Sequence, residues 1–180
     1  MTRAAHLVGR FFVSLVPRSV SRAEREWVAG HLDAAELALW QRMGRIDAVE
    51  SVRVARRAER ALAATSYGDD SCWIAAALLH DVGKRDCGLG TYRRAIATMV
   101  GAFAGPAAPA AWSESRGMLR KVGLYLRHAE LGALAIRVAG GRVDVAAWSE
   151  MHHDPDRWAE TGIPVMVCEA LATADGEMRR

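Results

Sequence analysis

The chain has 180 residues, of which 51% are hydrophobic and 25% are charged, and this composition is typical of one globular domain with a single core. The formal net charge of +3 is modest, so we expect no nucleic-acid partner. The three cysteines, Cys72, Cys87 and Cys168, are isolated in the sequence. Their spacing excludes a disulfide framework and a thiolate zinc site, and it favours a reducing, cytoplasmic location.

A short apolar segment lies close to the N-terminus, at residues 11–16, after Arg3 and Arg10. It is too short for a membrane span of about 20 residues, and Pro17 ends it. We therefore predict a helix that packs on the domain, with a weak role at a membrane surface as the alternative. No other segment predicts a membrane span.

Helical periodicity recurs along the chain and alternating strand patterns are almost absent, so the sequence predicts an all-α fold. The spacing of Ser21 to Glu24 and of Asp33 to Glu36 is that of a capping box, which predicts two short helices. A longer helix is expected to begin near Asp47, after Gly44. We assign residues 1–46 to N-terminal helices that pack on the core and residues 47–180 to the main helical bundle, within one compact structural domain.

The next predicted helix begins after Asp70 and ends at the pair His80 and Asp81, where Gly83 and Lys84 are expected to close it. A helix over 91–103 follows, and the Gly-Pro-rich residues 105–109 predict a loop that could serve as a hinge or lid. Further helices are predicted over 112–126, 130–139, 144–153 and 164–174.

Metal-capable side chains recur at the ends of these predicted helices. His80 and Asp81 follow the apolar run 75–79, and burying both costs several kcal/mol unless they are paired or bound to a cation. Imidazole and carboxylate ligands together bind Fe, Mn or Zn, and one carboxylate can bridge two cations. The pattern therefore favours a metal site between helices. The other members of the candidate group are His128, His152, His153 and Asp175.

Three short sequence motifs resemble those of a known family: residues 77–84 (Ala-Leu-Leu-His-Asp-Val-Gly-Lys), residues 128–133 (His-Ala-Glu-Leu-Gly-Ala) and residues 151–154 (Met-His-His-Asp). In this order, the chain from about residue 47 to residue 175 resembles the HD-domain metal-dependent phosphohydrolase superfamily. The resemblance implies an all-α, HD-domain-like helical bundle that holds one or two divalent metal ions (Mn, Fe, Zn or Mg), and so a metal-binding domain over residues 47–180.

Carried over residue by residue, the resemblance implies that His80, Asp81 and Asp175 hold a first metal. Asp81 would bridge to a second metal held by His128 and His152, with Lys84 close enough to meet a phosphate. Asp81 and Lys84 are thus the expected catalytic residues. Only one member of the pair His152 and His153 is required.

The chain departs from the family pattern at one ligand. Members of this type begin the metal set with a histidine on the helix before the His-Asp motif, and this chain has Glu50 at the matching place. Glu50 could replace the histidine as a ligand, because carboxylate oxygens bind Zn, Mn and Fe at similar distances. Alternatively, it could be the capping-box partner of Asp47 and bind nothing.

The resulting expectation is a divalent-metal-dependent phosphohydrolase that acts on a small phosphorylated molecule or nucleotide. Two alternatives stay open: a di-iron oxygenase with the same ligand order, and a non-catalytic HD-like binding module with a degraded metal site. The residues also have structural interpretations, in which His80 and Asp81 are a simple pair and Lys84 is a cation at a helix C-terminus. The sequence leaves the substrate and the oligomeric state open.

Overall fold

The computed structural model describes residues 19–176, so the predicted N-terminal helix at residues 11–16 lies outside the described part of the chain. The described residues form an all-α fold without strands. Two 3₁₀ helices, Val82–Asp86 and Pro155–Thr161, complete it. The α-helices in this part are α1 (Arg22–Ala29), α2 (Ala34–Gln41), α3 (Arg45–Leu62), α4 (Ser71–Leu79), α5 (Thr91–Phe103), α6 (Ala108–Glu114), α7 (Gly117–Leu126), α8 (His128–Ala139), α9 (Val143–Met151) and α10 (Val165–Asp175).

Both predicted capping boxes are confirmed. The amide of Glu24 donates to Ser21 Oγ over 3.2 Å, and the amide of Ser21 donates to the Glu24 carboxylate over 2.7 Å. Asp33 and Glu36 repeat the arrangement at the start of α2, with distances of 2.8 and 3.2 Å. Each box satisfies two backbone groups that the first turn of a helix leaves unpaired.

The alternative in which Asp47 and Glu50 form a capping box is wrong. Helix α3 begins at Arg45, two residues before Asp47, with Gly44 as its N-cap. Asp47 is buried, and both of its carboxylate oxygens accept hydrogen bonds from the guanidinium of Arg94 on α5, one of them over 2.9 Å. The Asp47 side chain therefore joins two helices that are far apart in the sequence. Because Asp47 is not a helix cap, Glu50 is not its capping-box partner.

Helix α4 lies at the centre of the main core. Every residue from Trp73 to Leu79 is buried, and the helix packs against α2, α3, α9 and α10. A helix that is apolar all round needs neighbours on every side, and these four helices supply them. The residue that follows α4, His80, is thereby held deep in the molecule.

Helices α5 and α7 pack around a second, smaller cluster, in which Cys87, Leu89 and Ala97 are buried, and α6 packs on α7. The single helix predicted over 112–126 is two helices, because the chain turns at Gly117, whose φ of +64° is one that glycine adopts without strain. The predicted loop over 105–109 is also shorter than expected, since α6 begins at Ala108. Within the described residues, no helix has the length and apolar character needed to cross a bilayer.

Candidate metal centre

The ends of four α-helices meet at one place in the fold. His80 follows the last residue of α4, and Asp81 lies just before the 3₁₀ helix Val82–Asp86. His128 is the first residue of α8, His152 follows α9, and Asp175 is the last residue of α10. Residues from widely separated parts of the sequence are thus brought to a common point.

Three imidazoles of this cluster are oriented by the same local hydrogen bond. In each case Nδ1 lies close to the carbonyl oxygen of the residue three positions earlier. The distances are 2.8 Å from His80 to Ala77, 2.7 Å from His128 to Tyr125 and 2.9 Å from His152 to Ser149. A carbonyl can only accept, so Nδ1 carries the proton in each ring. When the imidazole is neutral, its Nε2 atom has the lone pair that a metal ion requires, and a metal ion that binds His80 would displace the proton from its Nε2 atom.

The three Nε2 atoms point to the carboxylate of Asp81, and its two oxygens divide them. Asp81 Oδ2 lies 3.3 Å from His80 Nε2. Asp81 Oδ1 lies 3.2 Å from His128 Nε2 and 3.8 Å from His152 Nε2. A carboxylate that faces histidines with both oxygens has the arrangement needed to bridge two cations.

Several polar atoms at the centre are buried without a hydrogen bond. Within residues 19–176, these atoms include His80 Nε2, His152 Nε2 and Asp81 Oδ1. An unpaired buried acceptor costs about 1–3 kcal/mol, and several such atoms here face one another. A cation placed between them would satisfy all of them at once, so the residues present fit a bound metal ion.

The electrostatics of the centre divide the histidines into two kinds. Burial disfavours the charged form of His80, but the negative charges of Asp81 and Asp175 outweigh it and raise its pKa well above the usual value. Burial lowers the pKa of His128. Burial, together with the charges of His153 and His80, lowers the pKa of His152 well below its usual value. His128 and His152 are therefore neutral and ready to act as ligands at neutral pH.

The acidic residues are held in their charged forms. Burial alone would raise the pKa of Asp81, but the charges of Lys84 and His80 hold it well below its usual range. The pKa of Asp175 is likewise lowered, because the charge of His80 outweighs the effect of burial. Lys84 Nζ lies 2.5 Å from Asp81 Oδ2, and His80 Nε2 lies 3.6 Å from Asp175 Oδ1. Both carboxylates are ionised, as metal ligands must be.

Four of these residues form the group that could hold a metal ion. One ligand atom from each of Asp81, His128, His152 and His153 lies within 4.8 Å of the other three. Four ligands at tetrahedral zinc distances of about 2.1 Å are about 3.4 Å apart, so only small side-chain shifts would close the group around an ion. His153 belongs to it, with its Nε2 atom 3.1 Å from His128 Nε2, although the sequence required only one residue of the pair.

Glu50 is not one of these four residues. It lies on α3, where it is partly buried and forms an ion pair with Arg53 one turn later. One turn after Arg53 on the same helix, Arg57 donates a hydrogen bond over 3.2 Å to the carbonyl oxygen of Ala174, the residue before Asp175. Helix α3 is thus attached to the end of α10 through an arginine.

Sequence reasoning missed the residues that hold the ligands in place. The hydroxyl of Ser149 is buried and donates to the carbonyl oxygen of His80 over 3.1 Å, which joins α9 to the end of α4. The ring of Tyr125 stacks on that of His128, with the centroids 5.6 Å apart. Tyr125 and Ser149 each lie three residues before a ligand histidine, and this spacing is the only signal in the sequence that could have indicated them.

Comparisons of the chain with protein-family models, with curated proteins and with solved structures find no match.

Proposed function

We propose that the protein is a divalent-metal-dependent phosphohydrolase of the HD type, acting on a small phosphorylated molecule. The observation that carries the proposal is the convergence of three imidazole Nε2 atoms on the carboxylate of Asp81, with their Nδ1 atoms held by the main chain. The order of the residues along the chain, His80, Asp81, His128, His152 and Asp175, resembles the HD pattern, apart from the first histidine, whose place is taken by Glu50. The all-α fold agrees with it.

The two oxygens of Asp81 suggest how the ligands would be shared. Oδ2, with His80 and Asp175, would hold one cation, and Oδ1, with His128, His152 and His153, would hold the other. The second set supplies four ligands. The first supplies three, because Glu50 pairs with Arg53. We therefore expect the second position to bind more tightly than the first.

A divalent cation held here would neutralise phosphoryl oxygens and lower the pKa of a water molecule near the phosphorus. Lys84 neutralises Asp81 when no cation is present, since its ammonium lies 2.5 Å from Oδ2. The lysine side chain is flexible and carries a compact charge, so it can turn from Asp81 to a phosphate when a cation takes over that carboxylate. The residues can thus bind and orient a phosphorylated ligand.

The test combines metal analysis with phosphate release. Protein purified without a chelator or a histidine tag is analysed for Mn, Fe, Zn and Mg, and is assayed for phosphate release from a panel of phosphomonoesters and nucleotides in the absence of oxygen. Asp81→Asn keeps the shape of the side chain but removes the charge, so we expect the loss of both metal and phosphate release. His152→Ala should lose metal as well.

A matched control is available in His31. Its Nδ1 atom lies 2.8 Å from the carbonyl oxygen of Trp27, a local hydrogen bond like those of the ligand histidines, but it lies outside the cluster. His31→Ala should therefore retain both metal and activity. Full phosphatase activity in Asp81→Asn would overturn the proposal, and oxygen uptake by the iron-loaded protein without phosphate release would favour an oxygenase instead.

A second candidate is a metal-binding module without hydrolase activity, and the ion pair between Glu50 and Arg53 favours it. This pair occupies the place at which the family has its first histidine. The variant Glu50→His tests the idea directly. If the wild-type protein binds one metal and hydrolyses nothing, while Glu50→His binds a second metal and releases phosphate, the loss of that histidine has left a module that binds but does not react.

A further inference from the structure

Helix α5 carries a row of large apolar side chains on its solvent side. Phe103 is 93% exposed and Tyr92 is 67% exposed. These values are large for aromatic side chains, which normally bury most of their surface. We call this row the α5 outer face. Its members are Tyr92, Ile96, Met99, Val100 and Phe103, and all five are exposed.

The outer face lies opposite the side of α5 that packs on the domain. The packed side is formed by three residues at helical spacing. Arg94 binds Asp47, Ala97 is buried in the small cluster, and Gly101 lies close to Leu126. Residues 92, 96, 99, 100 and 103 follow the same helical period on the other side. The helix therefore presents its widest apolar stripe to solvent. A contiguous apolar patch on a protein surface commonly marks an interaction site.

The segment from α5 to α7, which carries this face, is basic. From residue 91 to residue 126 the sequence has five basic residues, Arg93, Arg94, Arg116, Arg120 and Lys121, and one acidic residue, Glu114. Arg94 is neutralised by Asp47. The remaining basic residues are exposed on α5 and at the start of α7, and α7 adds the exposed side chains of Met118 and Leu119.

We propose that the α5 outer face docks the protein on an anionic lipid surface. An apolar helix face in a basic segment, here with Arg93 exposed on the same helix, is the pattern by which interfacial helices insert their side chains among lipids and attract negatively charged headgroups. A second copy of the chain is disfavoured as the occupant. In a two-fold interface the same patch meets itself. Arg93 of one copy would then lie close to the basic residues of the other copy, and these like charges would repel each other.

The docking geometry follows from the length of the helix. Its 13 residues span about 20 Å, so α5 would lie in the plane of the membrane surface with Ile96, Met99 and Phe103 inserted. Another side of α5 is connected to the candidate metal centre by a short path, because Thr98 Oγ1 lies 3.2 Å from the hydroxyl of Tyr125. Tyr125 in turn stacks on His128. Docking is nevertheless independent of the proposed function and requires no catalysis.

Vesicle co-sedimentation of the full chain tests this proposal. Vesicles of phosphatidylcholine with phosphatidylglycerol are compared with vesicles of phosphatidylcholine alone. We expect binding to the anionic vesicles that is weakened about tenfold by the triple variant Ile96→Ser, Met99→Ser and Phe103→Ser, and several-fold by the double variant Arg93→Gln and Lys121→Gln. The charge-dependent part of vesicle binding should also weaken at about 1 M salt, because the Debye screening length is then only about 3 Å.

The matched control removes apolar residues that are equally exposed elsewhere. Val138→Ser and Val143→Ser replace two side chains that are 79% and 80% exposed, on α8 and at the start of α9. This variant should bind anionic vesicles as the wild type does. An equal loss of binding in this control would show that any exposed apolar side chain suffices, and the α5 outer face would lose its assigned role.

Other occupants give distinct results, and each would overturn the proposal. Failure of the wild-type chain to bind either kind of vesicle excludes a lipid surface. Self-association in analytical ultracentrifugation that the triple variant abolishes assigns the face to a second copy. A fall of about 5 °C or more in the melting temperature of the triple variant without vesicles shows that the chain itself covers the face, since replacing side chains that are in solvent leaves stability unchanged.

Discussion

At the scale of single residues, the metal centre depends on atoms that are held by the main chain. The Nδ1 atoms of His80, His128 and His152 each face the main-chain carbonyl oxygen three residues earlier, so the main chain sets the direction of each Nε2 atom. Asp81 is the residue on which they converge. Its two oxygens face different histidines, and this division underlies our expectation of two unequal cation positions.

Gly83 determines how closely His128 approaches Asp81. A Cβ atom at Gly83 would lie 2.0 Å from the carbonyl oxygen of His128 and 2.7 Å from the amide nitrogen of Gly132. Both neighbours are backbone atoms and cannot move independently. Gly83→Ala should therefore force the 3₁₀ helix away from α8 and lower the free energy of unfolding by about 3 kcal/mol, as measured by urea denaturation of the metal-free protein.

The control for this prediction is Gly105→Ala. A Cβ atom at Gly105 would meet nothing within 4 Å, so this substitution should leave the unfolding midpoint almost unchanged. We also expect Gly83→Ala to weaken metal binding, because His128 would be displaced from Asp81. A Gly83→Ala protein as stable as the wild type would show that the approach of the two segments is looser than the structure indicates.

At the scale of elements, a buried ion pair attaches α2 to the segment between α8 and α9. Glu36 is completely buried and accepts hydrogen bonds from the backbone and the guanidinium of Arg142, the latter over 2.6 and 3.0 Å. Removing one partner of a buried pair leaves an uncompensated charge. Because the side chain of Arg142 is 29% exposed, Glu36→Gln should lower the free energy of unfolding by about 1.5–3 kcal/mol at neutral pH, again measured by urea denaturation.

The same pair predicts how stability changes with pH. Burial would raise the pKa of Glu36, but its hydrogen bonds with Arg142 outweigh this effect and lower the pKa below its ordinary 4.5. The stabilising contribution is therefore complete above about pH 4.5 and is lost as the pH falls through the folded-state pKa. Wild-type stability should decrease in this acidic range, and Glu36→Gln should show a smaller decrease.

An exposed ion pair gives the comparison for both measurements. Glu160 binds Arg157 on the surface, where ion pairs contribute little to stability. Glu160→Gln should leave both the unfolding midpoint and its pH dependence close to those of the wild type. If Glu36→Gln behaved like Glu160→Gln, the buried pair would contribute specificity of packing rather than stability.

Local sequence signals predicted most of the helices, since caps and apolar periodicity depend on neighbouring residues. Ser21 and Asp33 begin their helices as expected. The failures concern residues whose partners are distant in the sequence. Asp47 has the spacing of a cap, but it binds Arg94, and Gly83 resembles a helix stop, although it is needed for contact with α8. No pattern within a helix encodes such long-range contacts.

The candidate site was predicted in part for the same reason. The order of His80, Asp81, His128, His152 and Asp175 in the sequence indicated which side chains to expect, and the structure brings these side chains to one place. It brings both His152 and His153 into the group, of which the family resemblance implies that only one is required, and it places Glu50 beside Arg53. The position of a side chain relative to a distant helix end depends on packing, which the sequence of either segment alone does not specify.

At the scale of the whole molecule, metal binding and folding stability should be linked. The ligands come from the ends of α4, α8, α9 and α10 and are assembled only in the folded chain. A cation that binds only the folded state stabilises it by about 2.7 kcal/mol at a hundred times its dissociation constant. We therefore expect the melting temperature to rise by about 5–10 °C when saturating Mn²⁺ or Zn²⁺ is added, as measured by calorimetry.

The variant Asp81→Asn is the control for this shift. Its melting temperature should not respond to the same ions, because the variant lacks the carboxylate on which the three histidines converge. A chelator should reverse the shift in the wild-type protein. Equal responses of the two proteins would indicate that the ions bind elsewhere on the chain.

The local orientation of the three imidazoles also bears on how the protein can change over evolutionary time. Each ring is aimed by a four-residue unit, residues 77–80, 125–128 or 149–152, through a carbonyl group that every amino acid possesses. Mutations of the surrounding side chains can therefore accumulate without turning the rings. A centre built in this way can persist while the sequence around it drifts, and its geometry would outlast recognisable sequence similarity.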